Sequence, residues 1–216
     1  MNIKIYQSFY LPEHFASLEK QFIPYPNLEN KNPELREYPL ILDLFSKNRN
    51  FDGYWGLVSW KFHQKTRIFG ADFIQMIEQN PGYDVYHFNP MYNETSSYIN
   101  PFMNGDFHHP GMISFVNRLL SLMGYDIDMS KVYLDREHGI FCSYYIGNAR
   151  FWNQWMGFLD GVMFIANKDP QLNSYLYATH SNHFEQKIIN FSFVIERMVN
   201  LFLYLYESQY KIKGFR

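Results

Sequence analysis

The chain has a single cysteine, Cys142, in 216 residues. One thiol closes no intramolecular disulfide and builds no multi-thiolate zinc site, which is the usage of a reducing compartment. Charge of one sign is missing as well: 19 Lys and Arg stand against 21 Asp and Glu, a formal net charge of -2. That balance creates no field able to gather phosphate backbones or an anionic membrane, so nucleic acid is not an expected partner. Long apolar runs are absent. The most apolar stretch, Phe191 to Tyr206, carries Glu196, Arg197 and Asn200 near its middle, where hydrocarbon would penalise them. It reads as a buried helix and not as a transmembrane segment. The first ten residues contain one lysine and alternate polar with bulky side chains, unlike the charged head and apolar run of a secretory signal. The expected location is therefore the cytoplasm. No G-x-x-x-x-G-K-[ST], G-x-G-x-x-G, H-E-x-x-H or G-x-S-x-G occurs, which takes P-loop enzymes, dinucleotide oxidoreductases, zincins and ordinary serine hydrolases out of the front rank.

What the chain does have is rings: aromatics are 20% of it. Flat faces with polar edges suit sugars and bases, although most aromatics in any domain are core. The length fits one domain over 1–216 that buries a continuous core. Alternation and β-branching predict a strand from Asn2 to Tyr10, and a short helix follows from Glu13 to Gln21. The double-proline stretch Ile23 to Asn27 predicts an extended loop. Three-to-four spacing predicts a helix from Glu34 to Asn48, and apolar runs predict strands at Tyr54 to Trp60 and Tyr83 to Phe88 with a helix from Thr66 to Asn80 between them. A long polar loop is expected from Met91 to Phe107, then a helix from His109 through Met123. Strands at Val132 to Leu134 and Gly139 to Ile146 and helices at Phe151 to Ala166 and Phe184 to Tyr206 complete the series. Strand and helix alternate, which predicts an α/β fold with a mostly parallel central sheet flanked by helices and a helical C-terminal part.

Three clusters of residues could carry chemistry. His108 and His109 precede an expected helix start, where free N–H groups and the dipole favour an anion and an imidazole could protonate a leaving phosphate; alternatively one histidine caps the helix and the other packs. His87 and Asn89 end an expected central strand, the edge at which open α/β sheets bind ligands, or they simply close a turn. Trp60, Lys61 and His63 offer rings and a cation in one short loop for phosphate with sugar or base; equally, Lys61 lies along apolar surface. Glu196 and Arg197 need partners wherever their helix is buried, which favours a structural or site-supporting role over direct catalysis.

The stretch Asn32-Pro33-Glu34-Leu35-Arg36-Glu37-Tyr38, followed by Phe51-Asp52-Gly53-Tyr54-Trp55-Gly56-Leu57-Val58-Ser59-Trp60-Lys61-Phe62, resembles bacterial proteins of capsule and lipopolysaccharide loci. In these an Asn- and Glu-bearing segment leads through a helix to a Y-x-G-L-x-H-Y-R-R strand, and Glu196-Arg197 with Leu201 is similar to their E-R-L element. Phe141 to Asn148 followed by Phe151-Trp152 resembles the acceptor-side floor strand of GT-A glycosyltransferases. The resemblance implies a GT-A-like fold in which about 1–90 bind a nucleotide sugar and 91–216 form the acceptor-side half. It implies transfer of a sugar to a cell-surface polysaccharide or lipopolysaccharide, with a glycan or glycolipid acceptor and room for peripheral attachment to the inner membrane. Tyr6 and Gln7 would lie near the nucleotide, Glu34 and Arg36 would shape the donor pocket, and Lys61, His108 and His109 would neutralise the diphosphate. Asn89 would touch sugar or phosphate; Trp60, His63, His87, Tyr144 and Asn148 would line the substrate. Asp135 or Glu137 would serve as catalytic base. The Asp-x-Asp that holds Mn²⁺ or Mg²⁺ in such enzymes is replaced by His87-Phe88-Asn89, so the expected catalysis is metal-independent or weakly metal-dependent, and the rival reading is a non-catalytic carbohydrate-binding or scaffold protein of the same pathway.

Overall fold

Alternating side chains from Ile3 onward set the first strand, β1 (Ile3–Phe9), whose two faces feed two cores. The computed structural model describes residues 1–91, 93, 97–134, 139–180 and 188–215. The double-proline stretch is not a loop but edge strand β2 (Ile23–Pro26), parallel to β1. Prolines are tolerated there because one flank of an edge strand has no ladder to serve. A 3-10 turn at Pro33–Leu35 leads to α1 (Tyr38–Asn48) and then β3 (Tyr54–Ser59). The helix expected from Thr66 to Asn80 is the shorter α3 (Gly70–Glu78), and a separate helix, α2 (Phe62–Thr66), precedes it. Arg67 breaks them with a left-handed φ of 64°.

After β4 (Val85–Phe88), the end of the expected long loop is instead helical. Asn100 accepts from the N–H groups of Phe102 and Met103 and Pro101 takes the first turn, so α4 spans Pro101–His108. Next come α5 (Met112–Leu122), β5 (Tyr145–Asn148), α6 (Ala149–Lys168), α7 (Pro170–Tyr177), β6 (Thr179–His180), β7 (Ile188–Ile189), α8 (Asn190–Leu205) and β8 (Ile212–Phe215). Val132 to Leu134 form no strand, and the longer strand expected from Gly139 shrinks to β5.

The six-stranded sheet runs β2-β1-β3-β5-β4-β8 and is mixed, not mostly parallel: β5 is antiparallel to both β3 and β4. The chain re-enters the sheet at the carboxyl end of β4, so the next strand must run back, and a hydrophobic run carries no mark of its direction. Gly56 makes the approach possible. A Cβ there would stand 2.3 Å from the Tyr145 carbonyl.

Helices cover both faces. Phe62, Phe73 and Ile77 of α2 and α3 pack with Ile5, Val58, Tyr86 and Ile146 on one side. On the other, Leu44 of α1 and the helices after β5 bury the largest core. Trp152 stacks on Trp55 at 3.8 Å and donates from Nε1 to the Trp55 carbonyl at 2.8 Å, pinning α6 to β3. Among the described residues no helix is long and apolar enough to cross a membrane.

Candidate functional site

From β1 the chain moves to β2 on one side and then back to β3 on the other, so the strand order reverses between β1 and β3. In open α/β sheets ligands settle outside the carboxyl ends at such a reversal. Phe9, Ser59 and Phe88 close β1, β3 and β4 on this rim. Because β5 runs opposite, its entrance shares the rim, and Tyr144 Oη stands 2.7 Å from Ser59 Oγ.

The approach to β5 is strained. Cys142 and Ser143 take consecutive left-handed φ values of 59° and 55°, a conformation that costs non-glycine residues about 1–2 kcal/mol each. α8 imposes it. Asn200 accepts from the Ile140 N–H at 2.7 Å and donates to its carbonyl at 2.9 Å, and four residues earlier Glu196 Oε1 accepts from the Cys142 N–H at 2.8 Å. From the sheet side, Lys65 Nζ of α2 approaches Cys142 Sγ at 3.4 Å.

Arg36, Glu37, Lys65, Cys142, Ser143 and Glu196 thus surround a pocket of about 110 Å³. Arg36 is itself held at φ 52°. The left-handed non-glycine residues described are Asn30, Arg36, Arg67, Cys142 and Ser143; three of them wall this one pocket. Strain concentrated in this way is a mark of a functional site. Desolvation raises the Glu37 carboxyl above the ordinary carboxylate value, with Glu196 adding to the push and Arg36 and Lys65 opposing it. Burial, helped by Glu196, lifts the Cys142 thiol to about 11 against the pull of Lys65. A thiol that stays protonated at neutral pH is a poor nucleophile, which leaves two cations and two carboxylates as the charged groups of the pocket. Among the described residues no group of three or more His, Cys, Asp or Glu is placed to hold a metal ion.

The residues singled out in the sequence scatter more widely. Arg36 walls the pocket and Tyr144 stands beside it, with its ring 5.8 Å from Lys65 Nζ. Trp60 and Lys61 occupy the same rim one step away, Trp60 stacked on His14 at 3.7 Å and Lys61 over the indole at 5.0 Å. His63, stacked on Phe69 with Nδ1 2.9 Å from the Ile68 carbonyl, lines together with Trp60 a separate cavity of about 860 Å³. Gln7 is fully buried and bridges the Ser59 carbonyl and the Glu19 N–H, so it ties β1 and β3 to the segment after β1. Tyr6 donates to Asn48 Oδ1 of α1. Glu34 faces a second cavity next door. His87 is buried within β4, and Asn89 Oδ1 accepts from the Met91 N–H to close a turn.

His108 and His109 end α4 rather than start a helix. The N–H groups of Gly111 and Ile113 at the start of α5 already donate to Asp106 Oδ1 at 3.1 and 2.9 Å, so the chain's own carboxylate fills the anion position. His108 is exposed, while His109 is buried with its ring 3.7 Å from that of Phe193. Asn148 sits at the opposite edge of the sheet, where it caps α6 and donates to Asp84. Asp135 and Glu137 lie outside the described residues. Glu37, Cys142 and Ser143 lie inside the stretches that carry the resemblance but are not singled out there as site residues, and Lys65 is not singled out at all. Glu196 had already drawn notice as a charge in an apolar helix.

Comparison with protein-family models, curated proteins and solved structures finds no match for the chain.

Proposed function

We propose that the chain is a glycosyltransferase of GT-A type that moves a sugar from a nucleotide-sugar donor to a cell-surface polysaccharide or lipopolysaccharide acceptor. The observation that carries this reading is the pocket at the entrance of β5, where Arg36 and Lys65 share walls with Glu37 and Glu196. Cations in that position match a diphosphate leaving group, and carboxylates match sugar hydroxyls. The likeness of Asn32 to Tyr38 to capsule-locus proteins and of Phe141 to Asn148 to GT-A proteins points the same way, since residues of both stretches wall this pocket.

In the proposed step the acceptor hydroxyl oxygen bonds to the anomeric carbon while the bond from that carbon to the phosphate oxygen breaks. The nucleoside diphosphate leaves with the electron pair and meets Lys65 and Arg36, with Lys61 farther along the rim. Glu37 takes the hydroxyl proton. A carboxylate whose proton affinity is raised by desolvation is the better base for that purpose. Calorimetry with UDP, GDP, CDP and dTDP tests the reading. One of them is expected to bind, and Lys65→Ala should weaken it about tenfold, the worth of one charge-assisted contact. Absence of nucleotide binding in the intact chain would discard the transferase in favour of a carbohydrate-binding protein.

A further inference from the structure

A second cavity, of about 750 Å³, opens beside the rim pocket and shares Leu35, Arg36 and Tyr38 with it. Its volume lies in the range of small-molecule sites. Three rings form its floor: Tyr38 meets Phe191 edge-on at 5.1 Å, and Tyr177 lies over Phe191 at 6.3 Å and 26°. Tyr177 is 46% exposed, so it still offers apolar surface to an incoming molecule.

The polar complement is sparse and balanced. Glu34 and Arg36 are its charged lining residues, and their opposite signs give a polyanion no net attraction. Asn167 Oδ1 already accepts from Tyr177 Oη at 3.2 Å and from Asn173 Nδ2 at 3.4 Å. That leaves its own amide N–H groups to donate to a ligand oxygen. Rings for C–H faces, an amide donor, one carboxylate for hydroxyl protons and one guanidinium for hydroxyl oxygens describe a site for a neutral sugar chain.

We infer that the cavity walled by Tyr38, Tyr177, Phe191, Asn167 and Glu34 binds a neutral glycan of two or three residues. Arg36 stands at the junction, so a glycan seated on the rings ends beside Glu37. Its role as acceptor subsite rests on the transferase reading, whereas glycan binding itself does not.

The test uses the full chain without nucleotide. Saturation-transfer NMR and titration are run with maltotriose, cellotriose, chitotriose, mannotriose and, as anionic comparator, trigalacturonate. At least one neutral trisaccharide is expected to bind with a dissociation constant of about 1 mM, and trigalacturonate is expected to bind more weakly. Tyr177→Ala should weaken binding about tenfold, the worth of one stacking contact. Asn167→Asp, which removes the amide donor without changing the shape, should also weaken it. No binding of any neutral trisaccharide, or undiminished binding in Tyr177→Ala, overturns the inference. Saccharide binding without nucleotide binding would keep the glycan site and remove the transferase; the reverse pattern would do the opposite.

Discussion

Replacing Asn200 by alanine should damage the molecule more than any change of one surface amide, because Asn200 stands in for a strand. Its side chain satisfies both backbone groups of Ile140, at 2.7 and 2.9 Å, and the two residues are 2% and 0% exposed. Water cannot replace the lost partners there. Leaving a buried N–H and a buried carbonyl unpaired costs about 1–3 kcal/mol each, so the expected loss is about 2–6 kcal/mol. For a chain of this length each kcal/mol lowers the melting temperature by about 2–4 °C, which places the drop at about 4–24 °C. The assay is urea unfolding followed by circular dichroism, with Asn173→Ala as control. Asn173 spends its amide on an exposed contact to Asn167 at 3.4 Å, and its loss should stay within about 0.5 kcal/mol. The same variant should loosen the turn at Cys142 and Ser143, whose strain depends on α8 holding the segment before it. A loss from Asn200→Ala below about 1 kcal/mol, close to the control, would refute the claim that α8 holds the turn in place.

Two further outcomes follow from the charges around that turn. Desolvation raises Glu37 in the folded chain, so the folded state holds its proton more tightly than the unfolded state does. Stability therefore falls as pH climbs from the ordinary carboxylate value through the raised one, and Glu37→Gln should be more stable than the parent near pH 8, with the gap closing below about pH 4; denaturant midpoints across that range would show a constant gap if the carboxyl were not raised. Desolvation holds the Cys142 thiol at about 11, so at about pH 8 its thiolate fraction is roughly two orders of magnitude below that of a free thiol; Ellman's reagent should label it that much more slowly in the folded chain than in urea, and equal rates would contradict the half-buried, Glu196-flanked environment.

Much of the framework is legible from local pattern. The β1 alternation, the three-to-four spacing in α1 and the long helices α6 and α8 are each stabilised by a periodic apolar face, and such a face is visible in one dimension. The direction of β5 is not, because the run from Phe141 to Asn148 reads alike both ways. Of the two cations on the rim, the sequence singles out Lys61 and not Lys65. Phe62–Thr66 is helical, so Lys61 lies back over Trp60 and Lys65, four residues on, reaches Cys142. The strained turn itself has neither glycine nor asparagine at Cys142 and Ser143, the residues that would have announced left-handed backbone.

The sharpest clue was polarity inside an apolar helix. Three polar residues on α8 reach two other segments: Glu196 and Asn200 grip residues 140–142, while Arg197 donates to the Pro101 carbonyl and Asn104 Oδ1 of the α4 region and to the Phe193 carbonyl of its own helix. Glycine at position 105 lets that guanidinium pass, since a Cβ there would stand 2.7 Å from Nε. A buried cation served by carbonyls rather than a carboxylate costs stability unless its geometry is required. The requirement here is placement. α8 ties α4 on one side and the β5 entrance on the other, and the Glu196 that holds the turn also forms a wall of the pocket. The same helix therefore supplies the rigidity of the turn and a wall of the pocket, which is why its polar residues could not be exchanged for the leucines its surroundings would otherwise favour.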